Sequence, residues 1–206
     1  MASLAGGLGL TAIGDASRQV RRSSSEVHET EEVDMTTSTA SGIAPRVVEP
    51  GPAVHDFDFL PGTWRVHHRR LTERLAGGKT WEEFEGTSTA TAILGGAGNL
   101  DDNILELPAG TYRAITMRAF DPTTDLWSIW WLDGRSPGQL DPPVVGGFID
   151  GVGAFIGPDT FGGRPILVRL RWFAITDRTA RWDQSFSDDD GATWEVNWEM
   201  WFERTS

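Results

Sequence analysis

The chain has 206 residues, a formal net charge of −12 and no cysteine. That length allows one domain of ordinary size with an appendage. The missing cysteine excludes disulfides, thiolate metal sites and a cysteine nucleophile. The acidic balance argues against nucleic acid or an anionic membrane as a partner, because phosphate binding needs a basic face.

Residues 1–52 read as a tail. Leu4 to Ile13 is weakly apolar, holds three glycines and has no basic residue before it. It is too short to span a bilayer and lacks the flanks of a signal peptide, so the chain is expected in the cytoplasm. Residues 23–50 are rich in Ser, Thr, Glu, Pro and Gly and cannot bury enough apolar surface to order themselves. Met35 is an alternative start, which would make residues 1–34 an upstream extension. The domain is expected over residues 53–206, with 14 basic and 23 acidic residues after position 50.

The domain opens with His55-Asp-Phe-Asp-Phe-Leu60 and the turn signal Pro61-Gly62. A first strand is expected over Thr63–Leu75, with Trp64, Val66, His68 and Arg70 on one face, since alternate residues point to opposite sides. Ala76–Lys79 is a hairpin turn. A second strand runs over Thr80–Leu94. Gly95–Asn99 reads as a flexible bend, and a third strand is expected over Asn103–Pro108. Tyr112–Phe120 and Leu126–Asp133 follow, separated by a turn at Asp121–Asp125 with Pro122 in its second place. Gly134–Pro143 is the longest irregular stretch. Val144–Asp150, Gly153–Phe161 and Pro165–Thr176 are the next strands, and Thr179–Ser187 with Thr193–Arg204 forms a closing hairpin. In the last strand Trp194, Val196, Trp198, Met200 and Phe202 share a face, opposite Glu195, Asn197, Glu199 and Glu203. Ala180, Trp182, Gln184 and Phe186 form the matching face of its partner. About ten short strands without an amphipathic helix predict an all-β antiparallel barrel, one face buried and one wet.

Five strings carry a resemblance: His55-Asp-Phe-Asp-Phe59, Gly62-Thr-Trp64, Gly95-Gly-Ala-Gly-Asn99, Phe120-Asp-Pro122 and Trp130-Trp-Leu-Asp133. Together, in this order, they resemble an uncharacterised bacterial family of lipocalin-like (calycin-type) barrels over residues 54–204. The resemblance implies an up-and-down barrel with an internal cavity, and a Trp64 that plugs one end. It brings no catalytic residues with it.

The chemical motifs are read against their context. Gly134-Arg-Ser136-Pro137-Gly138 fits G-x-S-x-G, yet a nucleophile elbow needs a helix after it and an N–H on the residue following Ser, which Pro137 lacks. Ser187-x-Asp189-x-Gly191-x-Thr193-Trp194 matches the Asp-box of sialidase-like hairpins, where the Asp side chain bonds turn amides. A calcium loop is the rival, without EF-hand spacing or flanking helices. His67 and His68 point to opposite sides and cannot share a metal. No metal and no cofactor is implied. Arg118 and Arg171 are expected as snorkelling surface arginines. Gly151-x-Gly153 lacks the third glycine of a dinucleotide site.

Ten Trp against one Tyr favours a cavity wall or core of indoles. The leading reading is a barrel that binds a small hydrophobic or aromatic molecule. Its cavity is lined by Trp64, Trp130, Trp182 and Trp198, with His68 and Gln184 as polar contacts. A cofactor-independent isomerase or cyclase using His68 with Asp102 or Asp133 is the alternative. A protein-interaction module working through the Gly134–Pro143 loop is the third reading, and a homodimer is compatible with the sequence.

Overall fold

A computed structural model describes residues 51–206; the expectations for the tail lie outside them. Ten strands are present: β1 (Gly62–Leu71), β2 (Trp81–Ile93), β3 (Gly98–Leu107), β4 (Gly110–Asp121), β5 (Leu126–Asp133), β6 (Val144–Ile149), β7 (Val152–Phe161), β8 (Arg164–Phe173), β9 (Thr179–Ser187) and β10 (Glu195–Arg204). Each strand pairs antiparallel with its neighbour in sequence, and β1 also pairs with β10. The result is a closed up-and-down antiparallel barrel. Closure gives every strand a neighbour on both sides and so removes the free sheet edges that invite aggregation. The helical content of the described residues is two 3-10 turns, Pro52–His55 and Leu94–Gly96, and no described helix is long and apolar enough to cross a membrane.

The segment before β1 closes one end. Phe57 and Leu60 are buried. The Phe57 ring meets Trp127 at 4.9 Å, Phe148 at 5.1 Å and Phe155 at 5.7 Å between centroids. The indole N–H of Trp127 donates to the Ala53 carbonyl at 2.9 Å. Trp64 is fully buried beside this plug, and its Nε1 donates to the Leu60 carbonyl at 2.8 Å. From the far end of β10 the Arg204 guanidinium lies 4.2 Å over the Trp64 ring and donates to the carbonyls of Pro61 and Phe59. Gly62 explains the small residue two places before the Trp. Its φ is +134°, and a Cβ there would meet the Ser206 carbonyl oxygen at 2.8 Å. Trp64→Phe keeps a ring but leaves the buried Leu60 carbonyl without its donor. Urea unfolding should show a loss of about 1–3 kcal/mol, the cost of an unmet buried polar group. An unchanged midpoint would show that the indole N–H does not hold the plug.

Three departures from the expected strands have physical causes. β3 starts at Gly98, not Asn103, because the bend is confined to Leu94–Ala97, where Gly95 and Gly96 take φ of +64° and +101°. Asn99 and Asp101 therefore enter the barrel wall, and both are buried. In β10 the register against β9 shifts between Val196 and Trp198. A bulge of this kind turns one extra residue, and Asn197, expected on the wet face, is fully buried. On β9, Asp183 and Ser185 are also buried although they alternate with the core residues. Asp183 is covered from outside by Arg171, whose Nε donates to it at 2.9 Å.

The Asp-box string is a folding device. The Asp189 carboxylate accepts from the Thr193 backbone N–H at 2.9 Å, the Thr193 hydroxyl at 2.7 Å and the Ser187 hydroxyl at 2.8 Å. Those donors, the Thr193 amide first, hold its pKa down to about 2. Gly134–Gly138 is a surface turn in which the Asp133 carboxylate accepts from the Arg135 amide at 2.8 Å.

Candidate functional site

The inner residues of the barrel leave a cavity between two unlike walls. One wall is aromatic. β5, β8, β9 and β10 bring Trp131, Trp172, Trp182 and Trp198 to it. Trp198 sits between its neighbours, edge-on to Trp182 at 5.8 Å and to Trp131 at 6.2 Å. Such T-shaped contacts place the positive ring edge on a π-face. Leu170, Met200 and Phe202 complete the apolar lining.

The other wall is polar, from β1, β3 and β4. Arg118 and Asp101 form a buried ion pair, Nη1 to Oδ1 at 2.7 Å, with both side chains almost wholly inaccessible. The same Nη1 donates to Asn99 Oδ1 at 2.9 Å. Asp101 Oδ2 accepts from Ser88 Oγ at 3.3 Å and from Asn103 Nδ2 at 3.4 Å, and Asn103 also reaches Thr116 Oγ1 at 3.4 Å. The Arg118 guanidinium lies 5.4 Å from the Phe57 ring and 5.6 Å from the Trp172 ring. Removing two charges from water costs several kcal/mol per ion unless geometry and extra hydrogen bonds return it. Here the neighbours on β2 and β3 supply those bonds.

His68 joins the two walls. Its ring stacks on Phe84 at 4.6 Å, 8° from parallel. Its Nδ1 accepts from the Trp198 indole N–H at 3.2 Å, which assigns the ring proton to Nε2. Burial lowers its pKa to about 3, and the charges of His67 and Arg70 act in the same direction. Gly86 on β2 makes room for it: a Cβ there would sit 2.8 Å from His68 Nε2. The imidazole is neutral at physiological pH, a hydrogen-bonding group and a weak base.

Of the residues read from the sequence, His68, Trp182 and Trp198 meet at this cavity. Trp64 belongs to the plugged end and does not line it. Gln184 is fully buried on β9 but is not part of the lining. Trp130 is misplaced: β5 turns Trp127, Ile129 and Trp131 inward, and the lining indole is Trp131. Neither carboxylate offered to His68 is near it. Asp102 is outside, paired with Arg113 at 2.6 Å, and Asp133 is paired with Arg135 at 2.6 Å. The inner carboxylate is Asp101, and it belongs to Arg118. That arginine, expected at the surface, is 3% exposed and faces the cavity; Arg171 is at the outer surface as expected, bound to Asp183. His67 is outside as well, its Nδ1 2.8 Å from Glu85. Among the described residues no group of three or more His, Asp or Glu side chains is placed to hold a metal ion.

The free space between the walls is about 30 Å³, room for about two water molecules. A larger guest requires side chains to give way, and Met200 in the lining has the three rotatable bonds that allow it.

No protein-family model matches the chain, and no curated protein matches it. Among solved structures, the S-type phycobiliprotein lyase CPES from Guillardia theta aligns with a TM-score of 0.48 at 11% identity, over 73% of this chain and 90% of that one. EF1p2_mFAP2b bound to DFHBI aligns with a TM-score of 0.38 at 10% identity, over 74% of this chain and 99% of that one.

Proposed function

We propose that the barrel binds a small hydrophobic or aromatic molecule in the central cavity. One observation carries the reading: four indoles converge on an internal space whose opposite wall is a buried polar network. A barrel that needed only a packed centre would gain more from apolar residues of similar volume than from an ion pair with three polar neighbours. An apolar pocket with a few placed polar groups is the usual form of a small-molecule site. Trp182, Trp198 and Trp131 supply ring faces and edges, and His68 holds Trp198 in place through its indole N–H. Trp64 and Gln184 support the barrel around the site.

The isomerase or cyclase reading is weaker on geometry. A general base needs a pKa near the working pH and a partner that orients it. His68 is neutral far below that range, and the carboxylate in the lining, Asp101, is paired with Arg118.

The test is a tryptophan-fluorescence titration of the full chain with a library of one- and two-ring aromatic compounds. Ligands that quench the indoles should bind at least about tenfold more weakly to Trp182→Leu, through lost ring contact. His67→Ala, on the outer face, should bind them as the wild type does. A library without a quencher, or equal losses in the two variants, would sink the reading.

A further inference from the structure

The wholly buried polar atoms of the cavity wall that lack a partner are all of one kind. Among the described residues, two buried polar atoms of the lining lack a partner: Arg118 Nε and Trp172 Nε1. Both are donors and cannot accept. The guanidinium of Arg118 lies 5.6 Å from the Trp172 ring, so the two belong to one patch of wall. The carboxylate close by is occupied: Asp101 takes Arg118 on one oxygen and Ser88 and Asn103 on the other. Buried donors left without an acceptor cost free energy comparable to a lost hydrogen bond each.

The charge of this patch is already balanced. Arg118 is neutralised by Asp101 at 2.7 Å, and His68 is uncharged at neutral pH. A carboxylate or phosphate entering here would bring a buried negative charge with no cation of its own, beside the Asp101 carboxylate. A hydroxyl would bring a donor where donors are already in surplus. A carbonyl oxygen brings two lone pairs and neither a charge nor a proton.

Resting on the reading of the cavity as a small-molecule site, we propose that its ligand class is a neutral aromatic or conjugated carbonyl compound. The carbonyl oxygen accepts from Arg118 and Trp172, and the flat body lies against Trp131, Trp182 and Trp198. The free space of about 30 Å³ is less than one aromatic ring, so the ring enters by displacing Met200 while the oxygen takes the polar corner.

Three one-ring probes of similar shape test this with the full chain at pH 7, by calorimetry: acetophenone, benzoate and ethylbenzene. Acetophenone is expected to bind, and benzoate at least about a hundredfold more weakly, the penalty of an unpaired buried charge. Trp172→Phe, which removes one donor and keeps a ring, should weaken acetophenone about tenfold more than it weakens ethylbenzene, since the hydrocarbon never used that donor. The infrared carbonyl stretch of acetophenone bound to the wild type should lie well below its value in hydrocarbon solvent. That readout does not depend on how any variant folds. Benzoate binding as tightly as acetophenone, equal losses for both probes in Trp172→Phe, or an unshifted carbonyl stretch would each overturn the carbonyl assignment and leave the binding reading standing. If none of the three binds, the binding reading falls and takes the assignment with it.

Discussion

Between pH 6.5 and about pH 4, the full chain is expected to lose about 3 kcal/mol of folding stability through His68 alone. The imidazole is held neutral in the fold, with its pKa lowered from 6.5 to about 3. In the unfolded chain it titrates near 6.5. Above that value it is neutral in both states and adds no pH dependence. Below it the unfolded state binds a proton that the folded state refuses, so stability falls by about 1.4 kcal/mol per pH unit until the folded pKa is reached. Protonation in place is opposed by burial, by Arg70 and His67 on the same strand, and by the Trp198 N–H that already points at Nδ1. On the neighbouring strands the ring faces Phe84 and Gly86 of β2 and Trp198 of β10, none of them a carboxylate. The carboxylates that begin to titrate near pH 4 are the same in the wild type and in a variant without the imidazole, so the difference between the two slopes isolates His68. Asp189, held down to about 2 by its turn donors, stays ionised throughout. His68→Gln retains an acceptor for Trp198 and has nothing to titrate. Urea unfolding of both proteins at several pH values should give a steep slope for the wild type and a shallow one for the variant. Parallel slopes would mean that His68 charges freely, and that the ring is not buried as described.

The inward placement of His68 was legible in the sequence because β1 alternates cleanly from Trp64. β9 and β10 were legible for a similar reason: Trp182, Trp198, Met200 and Phe202 mark one face with large apolar groups. Period-two reasoning fails where both faces look alike. On β4, Ile115 and Met117 are as core-like as Ala114 and Phe120, so the strand alone does not reveal that Thr116 and Arg118 point inward. The phase comes from pairing: Arg118 stands opposite Asn99 and Thr116 opposite Asp101. That pairing was hidden because the glycines at 95, 96 and 98 drew the bend too far along the chain and removed Asn99 and Asp101 from their strand. On β5 the doublet Trp130-Trp131 presented two equal candidates, and only Ser128, on the outer face with Trp130, marked the phase. The bulge that buries Asn197 depends on how β10 meets β9 and leaves no trace in β10 itself. The polar half of the cavity was therefore missed as a unit, while two of the four lining indoles, Trp182 and Trp198, were read from the sequence.

The buried pair that was missed should also be the most sensitive point of the wall. Arg118→Met removes the cation and leaves Asp101 inside with Ser88 and Asn103 as its remaining donors. The expected cost is about 3–5 kcal/mol, the range for a buried charge stripped of its partner. It is a large part of the roughly 5–15 kcal/mol that holds a domain of ordinary stability together. Most of that cost is the stranded carboxylate and not the lost contacts of the arginine. Asp101→Asn added to Arg118→Met removes the charge and keeps an oxygen that can accept from Ser88 and Asn103. The double variant should therefore be more stable than Arg118→Met alone, although it carries one more substitution. In a double-mutant cycle from urea unfolding at pH 7 the coupling between positions 101 and 118 should be about 2 kcal/mol or more. Additive losses would show that the two groups do not depend on each other. The polar wall would then be a set of separate hydrogen bonds, and Arg118 would be free of the charge balance that makes a neutral guest the better fit.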